Sequence, residues 1–182
     1  SWRVPAEMHY ATHGSDTPQV DGPVPANLAR GRNCRMLEVD DEAYFDGRIA
    51  ARAVAALEDL ARSEQPFFLA VGFWKPHSPF NAPKRYWDRY DPASLPPPRP
   101  AEWPRNAPRI AWHNGRELVG RGGGPLSETD ISQMRHGYLA AISYLDAQVG
   151  RLLDAVDRLG LAKETIVVFW SDHGYHLGEQ TL

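Results

Sequence analysis

The chain has 182 residues, of which 42% are hydrophobic and 24% charged, a balance that indicates a folded domain and excludes a disordered tail. The net charge is −3, so no basic surface is expected and nucleic acid is not an expected partner. No apolar run approaches the roughly 20 residues that a membrane-spanning helix needs, and no basic-then-apolar leader is present. Cys34 is the single cysteine, which predicts no internal disulfide, and its neighbours suggest no metal site.

Two helices stand out from the spacing of apolar residues. Residues 1–42 are rich in Pro, Gly and Asp and are predicted to be mostly loop. Residues 41–62 carry apolar side chains at spacings of three and four, which predicts an amphipathic helix. A longer helix is predicted to begin after Ser127, a capping residue followed by acids, and to end near Gly160.

Two short apolar runs, residues 67–73 and 165–170, predict strands buried on both faces, as in a parallel sheet. Ten prolines fall between Trp74 and Pro108, so this stretch is predicted to be a long excursion without a helix or a central strand. Residues 91–126, which overlap this stretch and continue beyond it, are predicted to form a long Pro/Gly-rich loop. Strand, excursion, helix and strand make a βαβ unit with a right-handed connection, hence an α/β fold.

A dense polar cluster follows each predicted strand, at residues 74–80 and 171–176. Both would then lie on the carboxyl edge of one sheet, where open α/β sheets bind ligands. Asp172 and His173 offer an oxygen and a nitrogen that a turn at Gly174 allows to converge on one metal ion. The alternative is that Asp172 caps the turn and His173 is merely exposed.

Lys75 and His77, separated by a proline, suit an anion, with the lysine supplying charge and the histidine a hydrogen bond or a proton. The alternative is a solvated lysine and a histidine packed on Trp74. Ser78 and Ser171 lack the Gly-x-Ser-x-Gly elbow of serine hydrolases. His176 either faces the site or stacks in the loop beside Tyr175, and the loop is the favoured interpretation. Glu179 is interpreted as structural or solvated.

Three segments carry a resemblance to a known family: Pro66 to Phe80, with Trp74-Lys75-Pro76-His77; Tyr138 to Leu153; and Ile166 to Glu179, with Ser171-Asp172-His173-Gly174. In this order they resemble the sulfatases of the iduronate-2-sulfatase type. The resemblance implies a part of an alkaline-phosphatase-like sandwich, with a mostly parallel central sheet flanked by helices. It also implies that residues 1–182 are part of a single catalytic domain, without its N-terminal half and C-terminal subdomain.

The resemblance further implies hydrolysis of a sulfate ester, on a sulfated small molecule or glycan, by a formylglycine nucleophile and a Ca²⁺ ion. Asp172 and His173 match two of the metal ligands. His77 matches the histidine that contacts the sulfate, and Lys75 matches a neighbouring lysine. By analogy the location is periplasmic or exported, or lysosomal in an animal.

The chain also departs from the family. The formylglycine motif is absent, since Cys34 is followed by Arg-Met-Leu, and so are the paired acidic ligands and the lysine beyond the Gly-Glu turn. The 182-residue chain alone is therefore expected to lack sulfatase activity and to bind calcium weakly. Two alternatives remain, a phosphodiesterase or phosphonate hydrolase of the same superfamily and a non-catalytic binding domain derived from a sulfatase.

Overall fold

A computed structural model describes residues 34–63, 65–98, 106, 108, 110 and 126–178. Within these ranges lie the strands β1 (Cys34–Leu37) and β2 (Phe80–Pro83) and the helices α1 (Phe45–Ala61), α2 (Lys84–Trp87) and α3 (Glu128–Arg158). Short 3-10 turns cover Asp41–Ala43 and Pro92–Ser94. Among the helices described, none combines the length and apolar character that crossing a bilayer requires.

The structure confirms both predicted helices. Helix α1 begins at Phe45, later than predicted, because a 3-10 turn occupies the preceding residues. Helix α3 begins with a capping box: the Ser127 hydroxyl accepts the N–H of Asp130 at 3.1 Å, and the Asp130 carboxylate accepts the N–H of Ser127 at 3.0 Å. Gly160, at φ +72°, follows the end of α3 in the left-handed conformation that glycine tolerates best.

The strands differ from the prediction. Strands β1 and β2 pair in parallel, with Cys34 opposite Phe80 and Leu37 opposite Pro83. The prediction of loop over residues 1–42 is therefore wrong at β1, and the prediction of a proline-rich excursion without regular structure is wrong at β2 and α2. Pro83 is the last residue of β2, a position where its missing N–H interrupts no further pairing.

The predicted buried strands at residues 67–73 and 165–170 are not formed in the described part of the chain. Neither segment belongs to a β-ladder there. Residues 166–170 are exposed, with Phe169 at 70%, whereas residues 67–73 alternate between exposed and partly buried, and Phe67 and Leu69 pack against a buried cluster with Leu57. A strand needs a neighbour to satisfy its backbone, and the described residues assign none to either segment. The α/β character rests on β1 and β2, not on the predicted βαβ unit.

The core lies where α3 packs on α1, α2 and β2. Its largest cluster of buried side chains contains Tyr44, Ala82, Tyr86, Trp87, Ala140 and Tyr144. The Tyr144 hydroxyl donates to the carbonyl of Asp41 at 2.8 Å and accepts the N–H of Gly47 at 2.6 Å. Helix α3 is thereby tied to the start of α1, and the start of α1 in turn holds the segment that carries Lys75 and His77.

Candidate functional site

The segment after residue 73 is anchored to the first turn of helix α1. The two carboxylate oxygens of Asp46 accept the backbone N–H groups of Trp74 at 2.9 Å and Lys75 at 2.8 Å. The N–H of His77 donates to the carbonyl of Trp74 at 3.0 Å and closes a turn. The peptide bonds before Pro76 and Pro79 are both cis. Residues 74–79 are called the Lys-His loop below.

Lys75 and His77 have defined partners inside this loop. Lys75 is buried, at 5% exposure, and its Nζ donates to the carbonyl of Pro79 at 2.7 Å, which excludes the solvated lysine of the alternative interpretation. The Nδ1 of His77 lies 2.7 Å from the carbonyl of Ser78. Because a carbonyl only accepts, Nδ1 carries the hydrogen, and Nε2 is the basic atom of the neutral ring.

His77 also packs on Trp74, as the alternative interpretation expected. The two rings meet edge to face with centroids 6.1 Å apart. The ring of Trp74 is in turn stacked on Phe45, at 6.2 Å and an interplanar angle of 10°. This packing fixes the imidazole and is compatible with a binding role, because a ligand-binding histidine also has to be held in place.

Asp172 and His173 form an exposed turn. The Asp172 carboxylate accepts the N–H of His173 at 2.8 Å, and the hydroxyl of Ser171 donates to the carbonyl of His173 at 2.8 Å. The hydrogen bond from the His173 N–H, helped by the nearby imidazole, lowers the pKa of Asp172. The carboxylate is therefore ionised at neutral pH and reaches solvent, with 86% of its side chain exposed.

Tyr175 brings the Lys-His loop and the Asp172–His173 turn together. Its ring centroid lies 5.7 Å from that of His77 and 6.3 Å from that of His173. Its hydroxyl oxygen accepts the N–H of Ser78 at 3.4 Å. Sequence reasoning gave Tyr175 no role, and the one available signal was an aromatic residue directly after Asp-His-Gly.

Tyr175 packs against a small apolar cluster. Phe80, Met134 and Leu177 are buried there, with Leu126, Tyr138 and Tyr175 packed against them. The rings of Phe80 and Tyr175 meet edge to face at 5.5 Å. Burial raises the pKa of Tyr138, which keeps this phenol neutral beside the turn.

Both candidate serines lie within this arrangement. Ser78 is buried in the Lys-His loop, where its N–H donates to the Tyr175 hydroxyl, and Ser171 is exposed, with its hydroxyl donating to the carbonyl of His173. His176 is exposed. Cys34 begins β1. Glu179 and most of the predicted loop 91–126 lie outside the described residues.

Comparison with known proteins decides the family. The family model described as "Sulfatase" matches residues 6–182. The chain belongs to the sulfatase family. The family confirms the predicted fold class, a part of an alkaline-phosphatase-like α/β fold.

Characterised relatives agree with this membership. The chain is similar to the human iduronate 2-sulfatase, with 37% identity over 169 residues, 87% of this chain and 30% of the relative. It is also similar to a choline-sulfatase of Rhizobium meliloti, with 30% identity over 86% of this chain and 31% of the relative. A multifunctional alkaline phosphatase superfamily protein of Trinickia caryophylli is 32% identical over 80% of this chain and 29% of its own length. This sulfatase chain thus spans about 30% of the length of each of these three relatives.

Sulfatases in general use a divalent metal, and this sulfatase chain contains part of a fitting donor set. Asp172 offers an ionised carboxylate, and the Nδ1 of His173 lies 3.1 Å from the carbonyl of Gly174, so its Nε2 is the basic atom of the neutral ring. Within residues 34–63, 65–98 and 126–178, no group of three or more His, Cys, Asp or Glu side chains converges. A divalent metal takes four or more ligands, so these two residues would supply only a fraction of its coordination shell.

Proposed function

We propose that this chain contributes the sulfate-binding part of a sulfuric ester hydrolase that acts on a sulfated sugar. The observation that carries the proposal is the contact of one side chain, Tyr175, with both His77 and His173. Family membership supplies the reaction type, and this contact supplies the reason to place an anion between the two polar segments. The sugar is inferred from the similarity to the human iduronate 2-sulfatase.

Lys75 and His77 are assigned to the sulfate group. The side chain of Lys75 is buried, so its positive charge is less screened than at the surface. The Nδ1–H of His77 donates to the Ser78 carbonyl, so Nε2 is the atom assigned to the substrate. In the protonated ring, Nε2–H would donate to a sulfate oxygen or pass its proton to the ester oxygen. The charge of the lysine and the directed imidazole together favour a tetrahedral anion.

Asp172 and His173 are assigned to a divalent metal, Ca²⁺, whose other ligands come from outside the described residues. When bound, such an ion neutralises an anion and polarises its oxygen. Formylglycine, the nucleophile implied by the resemblance, likewise requires residues other than these 182. The residues of this chain then orient the sulfate and exchange protons.

The test is turnover of an aryl sulfate by the product of the complete reading frame that contains these 182 residues. His77→Gln is expected to lower kcat about 100-fold or more, as for loss of an acid–base residue, and Lys75→Met is expected to lower kcat/KM comparably. Two exposed residues provide matched controls, His176→Gln and Lys163→Met, which are expected to leave turnover unchanged. Equal turnover by His77→Gln and its control would contradict the assignment.

A second candidate is a phosphoester hydrolase, which the similarity to the multifunctional alkaline phosphatase superfamily protein favours. Sulfate monoesters and phosphate diesters both present an anionic tetrahedral centre, so the same residues bind either. Assaying one preparation against an aryl sulfate and an aryl phosphate diester separates the two candidates. A sulfatase is expected to show the higher kcat/KM on the sulfate.

A further inference from the structure

We infer that Asp46 is a positioning residue for the Lys-His loop, acting through Trp74 on His77; this rests on the proposed function for its kinetic consequence only. Asp46 is 1% exposed and lies in the first turn of α1. A buried carboxylate is costly unless it is well hydrogen-bonded, and here each oxygen accepts one backbone N–H of the loop. The positive end of the α1 dipole favours the charge further.

The two hydrogen bonds fix the loop at its entrance. They reach the consecutive residues Trp74 and Lys75, directly before Pro76. The residues before them, 66–73, belong to no helix or strand in the described part of the chain, so regular secondary structure does not set the position of the loop. A charge-assisted pair of bonds to two successive amides determines both the place and the orientation of the backbone at that point.

From Trp74 the constraint passes to His77 through two contacts. The carbonyl of Trp74 accepts the N–H of His77, and the indole packs edge to face against the imidazole. The indole is itself held by stacking on Phe45, the residue before Asp46 in α1. The start of α1 therefore holds both the backbone and the ring that place His77. A shift of about 1 Å in such a group costs up to roughly 100-fold in rate.

The test replaces Asp46 with Asn, which has the same shape. One of the two oxygens that accept a backbone N–H is thereby replaced by an NH₂ group, which only donates. In the complete protein, Asp46→Asn is expected to lower kcat/KM for the aryl sulfate about tenfold to 100-fold. The matched control is Asp59→Asn, an exposed carboxylate on the same helix that pairs with Arg62, which is expected to change kcat/KM less than about twofold.

A second readout needs no activity and separates this inference from the proposed function. Histidines labelled with ¹³C are observed by NMR well below the unfolding temperature. Asp46→Asn is expected to shift the imidazole signals of His77. The signals of His136, a residue of α3 that packs on Trp87 of α2, are expected to stay unchanged. A general loss of stability shifts the signals of neither histidine at that temperature, because the protein is still folded. If the wild type turns over no sulfate but His77 still shifts, the proposed function fails and the positioning role stands.

If the His77 signals in Asp46→Asn match the wild type, Asp46 is only a structural residue and the inference is wrong. Should Asp46→Asn fail to fold, Asp46→Glu keeps the charge and both acceptors but displaces them by one methylene. The same selective shift of His77 is then expected, and its absence overturns the inference. Faster hydrogen exchange of the Trp74 and Lys75 amides in either variant is the direct sign that the anchor is lost.

Discussion

The imidazole of His77 and the phenol ring of Tyr175 meet edge to face, with centroids 5.7 Å apart. The ring of His173 lies 6.3 Å from the same phenol, and the amide of Ser78 donates to its oxygen. A single aromatic side chain thus sets the spacing between a loop anchored to helix α1 and a turn that follows helix α3 in the chain. If the two segments bind one sulfate together, that spacing determines the affinity.

The first prediction concerns Tyr175. Replacing it with Leu removes edge-to-face contacts worth about 0.5–1.5 kcal/mol each and releases the spacing between the segments. We expect the inhibition constant of inorganic sulfate in the complete enzyme to rise about tenfold, the equivalent of roughly 1.4 kcal/mol. Tyr175→Phe keeps the ring and loses only a long hydrogen bond, so an effect below about threefold is expected. Equal effects of the two substitutions on the inhibition constant would show that the ring does not determine the spacing between the two segments.

The second prediction concerns the metal. Chelation of divalent ions is expected to abolish turnover by the complete enzyme, with recovery on adding Ca²⁺. Asp172→Asn removes one of the two side chains assigned to the ion and is expected to raise the Ca²⁺ concentration for half-recovery about tenfold to 100-fold. Asp154→Asn, an exposed carboxylate on α3, is the control. Recovery curves that coincide for both variants would remove Asp172 from the metal site.

The isolated 182-residue chain offers a related measurement. Two of its described residues are assigned to the ion, whereas Ca²⁺ takes six to eight ligands, so calorimetry is expected to detect only weak binding, with a Kd around the millimolar level of loosely built sites. Turnover of an aryl sulfate is not expected. Tight binding or turnover by this chain would mean that the printed residues contain a complete site.

Helices α1 and α3 could be predicted from sequence because their signals are local, whereas the short α2 was not predicted. The capping box at Ser127 and Asp130 lies within four residues, and the apolar spacing of α1 repeats within one turn. The strands could not be predicted in the same way, because Cys34 pairs with Phe80 across a large part of the chain. Apolar runs at residues 67–73 and 165–170 have strand character, but strand formation also depends on a neighbour.

The ionisable residues proposed for the site could be selected from the sequence, whereas the residues that hold them in place could not. Lys75 and His77 stand together in sequence, as do Asp172 and His173, so polar clusters after apolar runs marked them as candidates. Asp46 shows no such signal: an acid in the first turn of a helix usually serves the helix dipole alone. Its hydrogen bonds to Trp74 and Lys75 depend on how α1 packs beside the loop, which only the folded chain reveals.

The third prediction follows from the exposed run at residues 166–170. All five side chains are apolar and more than half exposed, from Val167 at 56% to Ile166 at 91%. A β-branched run of this kind with no ladder partner among the described residues is a template for pairing with another chain. We expect the isolated 182-residue chain to self-associate, measured as light scattering that rises with concentration. Val168→Lys is expected to suppress it, and Leu153→Lys on α3 serves as the control.

The fourth prediction compares two glycines in helices. A Cβ at Gly47 would overlap the backbone carbonyl of Asp41, so Gly47→Ala forces the start of α1 away from Asp41. The hydrogen bond from the Gly47 N–H to the Tyr144 hydroxyl, 2.6 Å long, is then disturbed as well. We expect the free energy of unfolding to fall by about 1–3 kcal/mol. Gly150 in α3 has open space around its Cβ position, and Gly150→Ala is expected to raise stability by roughly 0.5–1 kcal/mol through helix propensity.

Urea unfolding of the two variants, followed by circular dichroism, measures whether the free energy of unfolding falls in Gly47→Ala and rises in Gly150→Ala. The reason for it is geometric, since both substitutions add the same methyl group within a helix and differ only in what that methyl group meets. Because α1 also carries Asp46, Gly47→Ala is expected to displace the Lys-His loop and shift the NMR signals of His77. Gly150→Ala is expected to leave those signals in place. A stabilised Gly47→Ala variant would mean that α1 does not approach Asp41 as closely as described, and that the anchor of the loop differs as well.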